Sequence, residues 1–207
     1  SSRDDIDLVN VRVGLEADDA DLKGKNCESV GYSAGTLGCT GGCTFDVSAC
    51  TGLVWYFNEH FEDPAAVNQT WTFLGDWEVG VPTGASDEPS AAYEGTICLG
   101  TNFGTTYSSN QAYLTNMAIS PEFDLSASTD PKLVFQMWGS TYTSDGFNAW
   151  VTTNGGVDWV PLTNPNVPYD GTVGSYEAWY DYDTHNHWEK VIIDLSSYVG
   201  QQAVQIA

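Results

Sequence analysis

From residue 53 onward the chain is a succession of short strand-like stretches broken by turns, and this punctuation limits its fold more than any other feature. The candidate strands are 54–62, 70–80, 91–99, 112–118, 132–139, 147–153, 158–162 and 188–195, with another starting near 203. Several alternate apolar and polar residues, the period of a strand with one buried face. The stretch 191–195 (VIIDL) is a denser apolar run, as a buried strand would be. Gly, Asn and Pro between the stretches favour a sandwich over a parallel α/β sheet. No convincing amphipathic helix stands out. The expected class is all-β. Within 152–159 (TTNGGVDW), Asn154-Gly155 or Gly155-Gly156 supplies the positive φ angles of a tight hairpin, with Trp159 packing back on it.

Composition supports a folded, acidic protein. Hydrophobic residues make up 42% and aromatics 13%, enough for a core. Six basic residues face 28 acidic ones, a formal charge of −22. Phosphate binding needs clustered Lys and Arg, so nucleic acid is excluded as a partner, and an anionic membrane surface with it. Such acidity keeps a protein soluble in salty or extracellular surroundings, and it also suits divalent cations, which prefer carboxylate and carbonyl oxygens. No run of 18 apolar residues marks a membrane span. Ser1 brings neither an initiator Met nor a signal-peptide pattern, and 203–207 (AVQIA) stops within strand character. A mature or trimmed fragment of a longer chain is expected.

Four of the five cysteines, Cys27, Cys39, Cys43 and Cys50, fall within 24 positions. The segment has too little apolar mass to bury a core, so covalent staples are expected to hold it. Zinc is the rival: Cys39 and Cys43 have plausible ligand spacing, but no second close pair and no nearby His completes a site. Disulfides are favoured. Of the three possible pairings, the nearest-neighbour one (Cys27 with Cys39, Cys43 with Cys50) closes two short loops. Residues 1–52 are thus expected to form an N-terminal segment with a disulfide knot, and 53–207 the β domain. The odd cysteine, Cys98, sits in an apolar stretch and reads as a small buried hydrophobe.

The cysteine segment resembles the repeats of secreted myxobacterial-type proteins through Cys27, Ser29, Gly31, Gly35-Thr36-Leu37, Cys39, Cys43, Phe45-Asp46, Ser48 and Cys50. The upstream half of that pattern carries a further cysteine, which 15–22 (LEADDADL) lacks. The β domain carries, in order, Phe61-Glu62, Trp71, Gly75-Asp76-Trp77-Glu78-Val79-Gly80, Gly100-Thr101-Asn102-Phe103-Gly104 with Tyr107, Phe123-Asp124-Leu125-Ser126, Gly155-Gly156 with Trp159, and Asp194-Leu195-Ser196. In that order these motifs resemble the MAM-like jelly rolls of bacterial secreted proteins, including cleaved-adhesin domains of gingipains and accessory domains of immune-inhibitor-type metallopeptidases. The resemblance implies a jelly-roll β-sandwich behind a small disulfide-stabilised module, secreted or at the cell surface, with no catalytic activity. It also implies structural calcium, for which Glu62, Asp63, Asp76 and Asp145 are the candidate ligands. Ca²⁺ takes six to eight oxygens, so backbone carbonyls would have to complete any such site.

Other motifs are weaker. The acidic run 16–21 fails as an EF-hand: counted from Asp19, Lys23 falls at a ligand position and Val30 where a bidentate Glu belongs. The 152–159 hairpin resembles an Asp box, but a sialidase needs an arginine cluster and the chain has only Arg3 and Arg12. His185 and His187 share one face if extended, yet no third ligand is identifiable, and a surface loop leading into Trp188 is the expected reading. Tyr176, Trp179, Tyr180 and Tyr182 form an aromatic cluster, and exposed flat rings stack on sugars and anchor interfaces. No G-x-S-x-G, H-E-x-x-H or phosphate-binding loop occurs. The leading expectation is a non-catalytic adhesion or binding module for an extracellular glycan or a surface protein. The alternatives are a self-assembling subunit of a filament or surface layer, and an accessory domain of a secreted metallopeptidase.

Overall fold

The computed structural model describes residues 5–14, 27, 32–35, 37–39, 45–46, 48–53, 56–108, 114–141, 144–180 and 184–207; for 5–14, 32–35, 39, 45 and 51–53 it describes the backbone path. The strands are β1 (Asp5–Gly14), β2 (Tyr32–Gly35), β3 (Gly38–Cys39), β4 (Phe45–Asp46), β5 (Cys50–Leu53) and β6 (Phe57–Asn58), followed by the helix α1 (Pro64–Thr70). Next come β7 (Thr72–Phe73), β8 (Trp77–Gly80), β9 (Cys98–Thr101), β10 (Ala118–Ile119) and β11 (Lys132–Ser140). The chain continues through β12 (Trp150–Thr152), β13 (Val160–Pro161), β14 (Gly171–Val173), β15 (Tyr176–Ala178), β16 (Glu189–Asp194) and β17 (Gln205–Ile206). The protein is therefore mostly strand with little helix, as composition and punctuation predict.

The main sheet is antiparallel, in the order β16-β11-β1-β9-β8, with β6 also pairing to β1. Its longest ladder, β11 on β16, sets Leu133 opposite Ile193 and Phe135 opposite Val191. Leu133, Phe135, Met137, Val191 and Ile193 are all at most 4% exposed. Each contributes roughly 1.5–3 kcal/mol by leaving water. Along β16 burial alternates through Val191 and Ile193, whereas β11 buries the consecutive residues Leu133, Val134 and Phe135.

Two smaller ladders, β10 with β7 and β13-β12-β17, join edge to edge. Ser120 N–H donates to the Ile206 carbonyl at 2.9 Å, and Phe123 and Val204 exchange backbone bonds at 2.9 and 3.0 Å. One hydrophobic cluster draws on both sets of strands: Leu133, Phe135 and Ile193 from the main sheet, with Phe123, Val151 and Val204 from the other. Burying two apolar faces against each other is what makes such layers stable.

Three differences from the sequence reading are physical. First, residues 5–14, assigned above to the N-terminal segment, form a central strand between β11 and β9. The apolar phase there runs Ile6, Leu8 and then slips to Val9, Val11, Val13, and the register on β11 shifts between Val9 and Arg12. A bulge shifts facing by one residue and masks the alternation. Second, 64–70 is helical. Asp63 caps it by accepting from Ala66 N–H at 3.1 Å, Pro64 opens it, and Val67 buries against the core. Seven residues are too few to show an amphipathic period. Third, Cys50 is bonded to Cys27, with Cα atoms 5.5 Å apart, so the nearest-neighbour pairing does not hold for these two. The β2–β5 ladder sets Gly35 opposite Cys50, and the β3–β4 pair lies within the loop that the bond closes. The side chain of Cys39 and all of Cys43 lie outside the described residues.

A sequence separation of 23 corresponds to about 3.5 kcal/mol in the chain-entropy model. Peptide mapping without reduction is expected to recover Cys27 joined to Cys50. Recovery of Cys27 joined to Cys39 would contradict the fold of this segment. Cys98 is a buried thiol, as expected.

Candidate ligand cleft

A cleft of about 490 Å³ lies between the two sets of strands, within the 300–1,000 Å³ range of small-molecule sites. Buried Leu99, Leu133 and Phe135 line its inner end, and exposed Ser144 and Ser175 its mouth. Rings dominate its walls: Trp71, Trp77, Phe147, Trp150, Tyr176 and Trp179.

Local chemistry fixes the mouth. Phe147 and Trp179 exchange backbone hydrogen bonds at 3.1 and 3.0 Å, drawing the 144–147 loop onto β15. Only glycine permits this approach at 146, where a Cβ would lie 2.9 Å from the Trp179 carbonyl oxygen and 3.0 Å from the Ala178 Cβ. Asp145 is thereby held at the rim. Its Oδ2 accepts from the Tyr107 hydroxyl at 2.9 Å, and its carbonyl accepts from Thr141 Oγ1 at 3.1 Å. Across the mouth Tyr176 stands edge-on to Trp150, with centroids 4.7 Å apart, and Trp150 Nε1 donates to Asn148 Oδ1 at 2.5 Å.

The structure distributes the expected aromatic platform differently. Trp179 is 1% exposed and belongs to the core. Its ring meets Tyr169 at 4.4 Å and Phe147 at 5.5 Å, and Nε1 donates to the Val167 carbonyl at 3.0 Å. It is a wall of the cleft rather than a surface ring. Tyr176 is half-buried at the mouth. Tyr180 is half-buried, its N–H donating to Asp170 Oδ2 at 2.7 Å. Tyr182 lies outside the described residues.

The four candidate metal ligands have separate partners. Glu62 accepts from Thr96 N–H and Ile97 N–H, both at 2.9 Å, and from Thr96 Oγ1 at 3.1 Å. Asp63 is the helix cap. Asp76 accepts from the Ser108 N–H and, at 3.0 Å, from its hydroxyl. Asp145 holds Tyr107. Among the described residues no three His, Cys, Asp or Glu side chains come together as a metal site. The four carboxylates therefore do not by themselves make the oxygen cage that Ca²⁺ takes.

The donors around Glu62 have a measurable consequence. The Ile97 and Thr96 N–H groups hold its carboxyl below the ordinary value near 4.5. A depressed folded-state value contributes stability that is complete above the unfolded value and is lost as pH falls through the folded one. Glu62→Gln is expected to melt below wild type at pH 7, with the gap closing as pH falls below 4.5. Thermal melts from pH 7 to 3 check this; a gap independent of pH would contradict it.

His185 is not on the surface as expected. It is 3% exposed, with Nε2 2.9 Å from Asp170 Oδ2 and Nδ1 2.5 Å from Glu189 Oε2. His187, two residues on, has a side chain 61% exposed. The H-x-H pair therefore splits, one ring clamping β16 to the 170–180 hairpin and the other facing solvent.

Trp71, Asn116, Phe147, Asn148 and Trp150 were not singled out from sequence as site residues. They come from three separate places in the chain, around 71, 116 and 147–150, and no local pattern announces that they meet. No family model, curated protein or solved structure matches this chain.

Proposed function

We propose that this protein is a secreted, non-catalytic binding module, a jelly-roll sandwich of the MAM-like type, whose inter-sheet cleft takes a short stretch of an extracellular glycan. The observation that carries this reading is the cleft: aromatic walls for the C–H faces of sugar rings, with Asp145, Asn116 and Asn148 for their hydroxyls. The Cys27–Cys50 bond favours an oxidising compartment. Among the described residues no helix is long and apolar enough to cross a membrane. A glycan and polysaccharide array, probed once with Ca²⁺ and once with EDTA, tests the reading. Binding to one glycan class is expected; no binding to any glycan by folded protein would overturn it. Loss with EDTA would add calcium to the account.

A second reading, assembly through a protein surface, is favoured by a different groove. About 640 Å³ in volume, it is lined by Leu74, Leu114, Ile119, Val157 and Trp159. Val157 is 78% exposed and Leu114 48%, more apolar exposure than a lone surface residue presents. Sedimentation velocity discriminates: a monomer supports the first reading, a concentration-dependent oligomer the second.

A further inference from the structure

We infer that the 163–170 loop is a strap that closes the β16 edge of the main sheet against strand pairing with a second copy of this chain, and that Asn166 is its latch. The inference concerns assembly and is independent of the glycan reading.

The first observation is how the edge is covered. β16 ends the main sheet, with β11 as its strand neighbour. An edge strand turns a row of N–H and C=O groups outward, a template for another chain. Asn166 occupies that row. Its N–H donates to the Ile192 carbonyl at 3.0 Å, its Oδ1 accepts from the Ile192 N–H at 2.5 Å, and its Nδ2 donates to the Lys190 carbonyl at 3.0 Å. One residue thus does for β16 what a neighbouring strand would do. The loop is held beyond Asn166 as well. The Val167 carbonyl accepts from the Trp179 indole at 3.0 Å. Asp170 Oδ2 lies 2.9 Å from Nε2 of the buried His185, whose Nδ1 is 2.5 Å from Glu189 Oε2 at the start of β16. Pro165 and Pro168 flank Asn166 and have no N–H, so the strap offers no full ladder to a further strand.

The second observation is what the edge fits. The bonds to Asn166 mark Ile192 as a residue whose backbone groups face outward, and the period of a strand adds Lys190 and Asp194. Antiparallel pairing of β16 with its own copy, centred on Ile192, sets Ile192 opposite Ile192 and Lys190 opposite the copy's Asp194, in both directions. Lys190 is exposed, and the Asp194 side chain is 63% exposed. Opposite charges facing each other across a strand pair favour it. An edge that is complementary to itself extends one sheet through two copies unless something covers it, and the strap is that cover.

The test joins sedimentation velocity over a range of concentrations with amide exchange read at Ile192, in about 0.15 M salt to screen the net charge of −22. In wild type the Ile192 amide is expected to exchange slowly and at a rate independent of concentration. Asn166 is exposed, so Asn166→Ala is expected to fold. Its Ile192 amide is expected to exchange about ten-fold faster at low concentration. The same variant is expected to dimerise about ten-fold more tightly than any association of wild type. Adding Lys190→Glu, which sets like charges against Asp194, is expected to reverse that gain. Asn166→Ser, too short to reach both Lys190 and Ile192, carries the same expectations if the alanine variant does not fold. A folded variant that frees the Ile192 amide yet associates no more than wild type would overturn the inference. So would an Ile192 amide that stays as slow as in wild type, a dimer indifferent to Lys190→Glu, or wild type whose Ile192 amide slows further as concentration rises.

Discussion

Trp179→Ala is expected to cost about 4 kcal/mol of folding stability, within the 3–5 kcal/mol typical of a buried aromatic cut back to alanine. The ring is 1% exposed and is shared by Phe135, Phe147 and Tyr169, which lie on three different segments. Truncation also leaves the Val167 carbonyl without its indole donor. Against a total of about 5–15 kcal/mol for a domain, this is enough to unfold a substantial fraction of the protein on mild heating. Trp179→Phe keeps most of the ring and loses the donor, and is expected to cost about 1–2 kcal/mol. Urea unfolding of the three proteins checks this. A cost under 1 kcal/mol for the alanine variant would place Trp179 outside the core and restore the surface-platform reading of the 176–182 aromatics.

The second large effect is on binding alone. Ser175→Trp puts a bulky ring at the cleft mouth, in the exposed turn between β14 and β15. Because the position is exposed, the change in stability is expected to stay within about 0.5 kcal/mol. Glycan affinity is expected to fall by at least ten-fold, about 1.4 kcal/mol. Titration of the variant and wild type with the glycan identified on the array reads this directly. Unchanged affinity would move the binding site elsewhere.

Local rules made part of this structure legible. The strands of the β11–β16 ladder were legible as apolar stretches at 132–139 and 191–195, the second dense enough for a buried strand. The 152–159 hairpin follows from its turn residues: Gly155 and Gly156 adopt φ of +69° and +80°, and Asp158 N–H donates to Asn154 Oδ1 at 3.0 Å. The central place of β1 was hidden by one bulge, which breaks the period by which strands are recognised. Helix α1 carried its signal in Asp63-Pro64, but its length gave the pattern no room to repeat. The cleft had no local signature. Gly146 lets two backbones meet, and that contact turns Trp179 inward and sets Asp145 at the rim. Aromatics close in sequence, such as Tyr176 and Trp179, look alike as letters. The Phe147–Trp179 bridge, 32 residues across the chain, decides which of them is buried.

The most direct test of the central claim is the glycan array read side by side for wild type and Ser175→Trp, both shown folded by their melts. The account predicts that wild type binds one glycan class and that the variant loses that same class. Equal binding by both proteins, or none by either, would contradict a glycan site between the sheets.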